Sequence, residues 1–492
     1  MVHPDLSQFK RLSAKGNLIP VYREILADMD TPVSAFLKVK GSPSFLLESV
    51  VGGEKWARYS FLGAEPSKII RGWGKRIEIR ERGKKPVVFE ADDPVEVLRK
   101  EMALFRPVSV EGLPRFSGGL VGYLGYDMVR FFENIPDKKA PGLDFPDMFF
   151  MLADTMLIFD SLKQKIKIVS NVSLDGRSPV KAYAEAVAKI DRLTEKLKRA
   201  KVKGQRPLRT RANNRFLSSF KTKNAFEKAV LRSKEYIAAG DVFQIVLSQR
   251  FERTSAVRPL DVYRALRVIN PSPYMYFLNT GDGEIVGSSP EILVRLEDNK
   301  IVVRPIAGTR KRGATESEDK ALEDELKQDA KERAEHIMLV DLGRNDVGRV
   351  SEKGSVEVTE LMAVERYSHV MHMVSNVEGT LDRGLDAFDV LRACFPAGTV
   401  TGAPKVRAME IIEELEPTKR GPYAGSVGYF SYSGNMDTCI TIRTLIIRKG
   451  KVYVQAGAGL VADSVPEREY AETVNKAMAM MKAVDMAEKG LE

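Results

Sequence analysis

Cysteine and histidine are scarce in this chain of 492 residues, which carries 2 cysteines, Cys394 and Cys439, and 4 histidines. So few thiols exclude a disulfide framework and leave no zinc-ligand cluster, and a reducing compartment is the simpler setting. No uninterrupted apolar run reaches the roughly 18 residues that span a bilayer, and the opening MVHPDLSQFKRLSAKG lacks the apolar core of a signal peptide. A soluble, cytoplasmic protein with no membrane partner is expected. Walker-type phosphate loops, internal repeats and low-complexity tracts are also missing, so P-loop chemistry and repeat architectures have no support.

What is present fits a globular chain: 43% hydrophobic and 29% charged residues can bury a sizeable core, and the length suggests about two to four domains. A net charge of +10 is compatible with a nucleic-acid partner, an anionic substrate or a well-solvated surface. The densest basic stretch, KLKRAKVKGQRPLRTRANNR (Lys196 to Arg215), has no aromatics for base stacking and reads as a solvated linker, so no nucleic-acid partner is expected. It divides the chain into an N-terminal region 1–200, a linker 201–222 and a C-terminal region 223–492. Before it, SAFLKV, SFLLESV and TMLIFDSLKQKIKIVSNV suggest antiparallel strands with a few helices. After it, KNAFEKAVLRSKEYIAAG spaces Phe226, Val230 and Ile237 on one helical face and ends on Gly240. The runs EIVGSS, EILVRLE and KIVVRPIAGT follow as strands, with Asp298-Asn299 favouring a reversal before Lys300.

Chemistry-bearing residues cluster in this second region. Glu332 and Glu335 lie three apart on a helical pattern, as do Glu469 and Glu472, so each pair projects from one face. Two such faces meeting would suit a magnesium ion, which takes oxygen ligands and uses one or two direct carboxylates. Taken singly, each pair is more simply a solvated helix face. GAGLVA, Gly457 to Ala462, fits a loose dinucleotide fingerprint, but Pro466 and the short remaining chain exclude a Rossmann domain. Something flat or anionic approaching the backbone would explain the glycines, and on this feature alone a β-bulge is the simpler account. In HVMH, His369 and His372 face opposite sides of an extended segment, so one alone can serve a given site. Thr399 and Thr401 precede a helix opening near Pro404 whose start could receive a carboxylate.

Several blocks in order, PIAGTRKRG, EHIMLVDLGRND, HVMHMVSNVEG, GTVTGAPK, DTCITIRT and QAGAG, resemble the chorismate-utilising enzymes, most closely their anthranilate synthase component I group. The resemblance covers most of the chain. It implies an α+β protein with a large mixed α/β chorismate-binding fold, in which antiparallel sheets pack face to face with helices outside. It further implies a magnesium-dependent lyase of tryptophan biosynthesis that turns chorismate and ammonia into anthranilate and pyruvate. By the same resemblance Glu335 and Glu472 match metal ligands, with Glu332 and Glu469 binding through water. Gly308, Thr309, Tyr423, Arg443 and the backbone of Gly457, Ala458 and Gly459 match substrate contacts. His372 matches a residue assisting departure of the ring hydroxyl, with Thr399 and Glu291 beside it.

LLES (Leu46 to Ser49) and PYM (Pro273 to Met275) resemble a tryptophan feedback site, implying L-tryptophan as inhibitor bound by Glu48, Ser49, Pro273, Tyr274 and Met275. Relatives that make aminodeoxychorismate, the alternative reading as aminodeoxychorismate synthase component I, typically carry a nucleophilic lysine where this chain has Ala307. Relatives that add water carry a lysine where it has Gln244. Neither amine is here, which favours ammonia addition without a covalent intermediate. No GxCxGxQ elbow occurs, so a separate glutamine amidotransferase subunit, anthranilate synthase component II, is implied as partner in a hetero-oligomer. A nucleic-acid module and a silent regulatory homologue remain as other classes, the second opposed by the intact Glu335 and Glu472.

Overall fold

The computed structural model describes residues 1–50, 58–137, 140–199, 215–367 and 370–491. Its described strands form two antiparallel sheets, one of 13 strands and one of 12. The alternation of side chains along the strands shows how they are covered. In Gly119–Leu124, Leu120 and Leu124 face a cluster with outer helices, whereas Val121 and Tyr123 face the opposite way. Met148–Ala153 repeats this, with Met148, Phe150 and Leu152 outward and Phe149 and Met151 inward. From the other sheet, Met156 and Ile158 of Thr155–Asp160 point into the same inner cluster, and Leu157 and Phe159 point to a second helix layer. Both faces of these strands are therefore buried, which is why they read as continuous apolar runs rather than as polar-apolar alternation. The sheets pack face to face with helices outside, as the resemblance implied. Phe116 and Tyr429 stack at 4.0 Å between centroids within the inner layer.

The segments before and after the basic stretch contribute strands to both sheets. Tyr274–Asn279 pairs with Ser44–Glu48, setting Met275 opposite Glu48, and Ser426–Ser431 pairs with Gly119–Leu124. The basic stretch itself falls mostly outside the described residues: the helix Pro179–Arg199 precedes it, and Leu217–Ser218 beyond it pairs with Phe251 and Glu252.

One element differs from the sequence reading. SAFLKV is not a strand but the end of the helix Pro32–Val39. Thr31 caps it by accepting from the Ser34 amide, Pro32 fits the first turn, and Ala35, Phe36 and Val39 share the buried face, a helical spacing that outweighs the β-branched content. The other local signals hold. Lys223–Ala238 is a helix followed by Gly240 at φ 84°, and Asp298 and Asn299 both take positive φ in the tight turn before the strand Lys300–Val303.

Candidate active site

Two helices bring the paired acids to one cavity of about 730 Å³. Ala330–Gly348 starts at Asp329, whose carboxylate accepts from the amides of Lys331 and Glu332. Within it His336 is fully buried and bonded to Ser375 at 2.6 Å, which fixes the helix against Val370–Thr380 and leaves Glu332 and Glu335 facing the cavity. Pro466–Lys489 supplies Glu469 and Glu472. Burial raises the pKa of Glu335, with the neighbouring Glu332 adding to it, and raises that of Glu469, with Glu472 adding to it. The Gln244 amide donates to Glu335 at 2.9 Å, Lys476 pairs with Glu472 at 2.6 Å, and Arg310 reaches Glu332 at 3.2 Å. Among the described residues no three acidic, histidine or cysteine groups close into a metal cage. Four crowded carboxylates from two helices nevertheless suit a hard cation that keeps its waters and takes its remaining oxygens from substrate.

Arg443 and two glycines also line the cavity. Arg443 stands at φ 51°, and its guanidinium has no hydrogen-bond or ion-pair partner among the described residues. Burial lowers its pKa, while Tyr423, Glu291 and Glu472 pull the other way. On the strand Lys451–Leu460, Gly457 and Gly459 line the cavity, but the Ala458 side chain points away into a core cluster, so only its backbone could contribute. The glycines are required by space: a Cβ on Gly457 would lie 2.8 Å from the Tyr423 hydroxyl and 3.1 Å from the Leu247 carbonyl. Gly457→Ala should therefore displace Tyr423 and lower kcat/KM for substrate about tenfold, as overpacking strain of about 1–3 kcal/mol implies. Steady-state kinetics on the variant check this, and unchanged kinetics would refute it.

Along the third side, Gly308 takes φ 63° at a bulge between Ala307 and Thr309. His372 Nδ1 lies 3.2 Å from the Gly308 carbonyl and 3.0 Å from the Thr309 hydroxyl. A carbonyl can only accept, so Nδ1 carries the hydrogen and Nε2 is left as an acceptor. Burial lowers the His372 pKa and Arg443 adds to the effect, while the Gly308 carbonyl and Glu365 oppose it. Glu291 behaves oppositely. It is buried, and desolvation raises its carboxyl to about 7 against the opposing pull of Thr399, Lys476 and Arg443. The buried Thr399 hydroxyl lies toward it without reaching full hydrogen-bond geometry. Ala307 lines the cavity with no amine to offer.

The profile of the chorismate binding enzyme family matches residues 45–482. The chain belongs to the chorismate-binding enzymes. Within this family it is 50% identical over 499 residues to an anthranilate synthase component 1 from Acetivibrio thermocellus and 51% identical over 492 residues to one from Aquifex aeolicus, each alignment covering 99% of both chains. The crystal structure of anthranilate synthase component I from Streptococcus pneumoniae superposes with TM-score 0.78 at 39% identity, over 93% of this chain and 99% of that one. The menaquinone-specific isochorismate synthase of Escherichia coli shares the fold, with TM-score 0.68 at 20% identity, over 97% of this chain and 98% of that one. Full-length similarity thus runs to anthranilate synthase component I, and the aminodeoxychorismate alternative is not favoured.

For this chorismate-binding chain, the cavity gathers Glu291, Gly308, Thr309, Glu332, Glu335, His372, Thr399, Tyr423, Arg443, Gly457, Gly459, Glu469 and Glu472. His369 lies outside the described residues. No residue of the helix Lys405–Leu415 lines this cavity, and Lys405 at its start pairs with Asp346 at 2.8 Å. Sequence reasoning passed over Lys476, whose ammonium bonds both Glu472 and the Gly457 carbonyl, although its position four residues after Glu472 puts it on the same face. Among the described residues no helix is long and apolar enough to cross a membrane.

A second cavity, of about 420 Å³, opens between the sheets. Glu48, Ser49, Pro273, Tyr274 and Met275 line it from one sheet, and Arg295, Tyr429 and Asp437 from the other. Glu48 is buried, which raises its pKa against the opposing Arg267, and it accepts from the Tyr263 hydroxyl. Tyr274 donates to Asp437 at 2.9 Å. Pro273 lines both cavities.

Proposed function

We propose that the larger cavity converts chorismate and ammonia to anthranilate and pyruvate as a magnesium-dependent lyase. The observation that carries this reading is that one cavity is lined by four carboxylates, by two glycines and by Arg443, whose guanidinium has no partner among the described residues, a set suited to a dianion that meets both a cation and a bound metal. Arg443, Tyr423, Lys476 and the Gly457–Gly459 backbone would take the enolpyruvyl carboxylate. Glu335 and Glu472, with Glu332 and Glu469, would hold magnesium beside the ring carboxylate. When bound, the metal supplies Lewis-acid neutralisation of that carboxylate.

Glu291, protonated up to about pH 7, can give its proton to the hydroxyl leaving ring carbon 4 as ammonia adds at carbon 2. The neutral His372 leaves Nε2 free to accept the carbon 2 proton as the enolpyruvyl oxygen departs, which aromatises the ring and releases pyruvate. No group here needs to attack covalently, consistent with Ala307. Ammonia would come from a glutamine amidotransferase, since component 1 relatives imply a partner component. The test is fluorescence and mass detection of products from chorismate, ammonium and magnesium at mildly alkaline pH. Anthranilate supports the reading, whereas isochorismate, aminodeoxychorismate or no turnover overturns it.

The inter-sheet cavity would bind tryptophan, with Glu48 receiving its ammonium and the aromatic lining its indole. Glu48→Gln should raise the tryptophan concentration for half-inhibition about tenfold or more, the worth of one charge-assisted bond, while leaving uninhibited turnover intact. Inhibition titrations check this, and an unchanged midpoint refutes the site.

A further inference from the structure

One buried ion pair beneath the larger cavity touches three of its walls. Arg420 is 2% exposed and Glu416 4%, and they pair at 2.6 Å where the helix Lys405–Leu415 gives way to the loop carrying Tyr423. The guanidinium also donates to the carbonyls of Val400, at 2.7 Å, and Val246, at 2.8 Å. Its flat faces lie against Tyr126, 4.7 Å from the ring centre, and Tyr423, 5.5 Å from it. Glu416 receives both the amide and the hydroxyl of Ser248 at 2.8 Å, and Ser248 in turn accepts from Gln455, which lines the cavity, at 2.9 Å. Ser248 stands opposite Gly457 in the sheet register. Five residues on four separate segments are thereby referred to one pair of charges.

We propose that Arg420 and Glu416 are positioning residues for substrate, aligning Tyr423 and the Gly457 strand on the enolpyruvyl carboxylate and holding the Thr399–Val400 turn beside Glu291. This rests on the chorismate reading above. A stability role alone does not account for the pair, since a buried ion pair is commonly replaceable by apolar residues of similar size without loss of fold, whereas removing one partner is strongly destabilising. What apolar replacements cannot reproduce is the planar fork that holds two carbonyls and a carboxylate while its cation lies over two aromatic rings.

The experiment compares the full-length wild type with an Arg420→Met, Glu416→Leu double variant and with Arg420→Lys, which keeps the charge but not the fork. Thermal unfolding is read beside KM for chorismate at saturating ammonia and KM for ammonia at saturating chorismate. The double variant should unfold near the wild-type temperature yet show a chorismate KM raised about tenfold or more, with the ammonia KM within about twofold. Arg420→Lys should show the same split, and it decides the matter if the double variant fails to fold. A folded variant with wild-type chorismate KM, or one in which both KM values and stability move together, overturns the proposal. A wild type that makes no anthranilate overturns the function itself, whereas a working wild type with unaffected variants overturns only the positioning role.

Discussion

Replacing Glu335 and Glu472 together by glutamine should lower kcat/KM for anthranilate formation by about 10³-fold or more, because metal stabilisation of a developing charge is worth several kcal/mol, at about 1.36 kcal/mol per tenfold. The fold should survive. Glutamine keeps the shape and removes like charge from a site where Glu332 already raises the Glu335 pKa and Glu472 that of Glu469. The lost Glu472–Lys476 pair is half exposed and contributes little. Calorimetric titration with magnesium gives the second readout: the wild type should bind and the double variant should not. A double variant that still binds magnesium and turns over chorismate would falsify the assignment of these acids.

Glu291→Gln should cost about 10²–10⁴-fold in kcat, the usual worth of a positioned general acid. Its pH signature separates it from a packing defect. With rates expressed per free ammonia, wild-type kcat should fall as pH rises past about 7, where Glu291 loses its proton, and the glutamine variant should be flat. The substitution should affect stability in the opposite sense to activity. Glu291 has a folded pKa above its unfolded value, so its contribution is complete below the ordinary glutamate range and is lost as pH rises to about 7. Above that, ionised Glu291 costs on the order of 3 kcal/mol at about 1.36 kcal/mol per unit, and glutamine escapes this cost. At pH 8 the variant should be less active yet melt several degrees higher; a lower melting temperature would show that the carboxylate is held by partners rather than strained by burial.

The acids were legible because their spacing is local: two glutamates three apart on a helix share a face whatever the helix packs against. The same holds for the Asp298-Asn299 turn and the helix ending before Gly240. The helix Pro32–Val39 does not show in SAFLKV alone, because its start signal, Thr31-Pro32, lies just before that stretch. The electrostatic setting of His372 was not legible for a different reason. Its side chain type is visible in the sequence, but the burial and the nearby Arg443 that lower its pKa, and the Gly308 carbonyl that opposes them, come from other parts of the chain.

Sequence by itself determined the residue types, the two acidic helix faces, the missing amines at Ala307 and Gln244 and, through several ordered blocks, the family. These depend on local periodicity or on identity at single positions. Tertiary structure alone decided that both segments interleave in two sheets, that Pro273 borders both cavities, that Glu291 is the acid near neutrality, and that Arg420 ties four segments together. These depend on desolvation and on pairings between distant parts of the chain, and neither quantity has a value until the sheets close over the residues concerned.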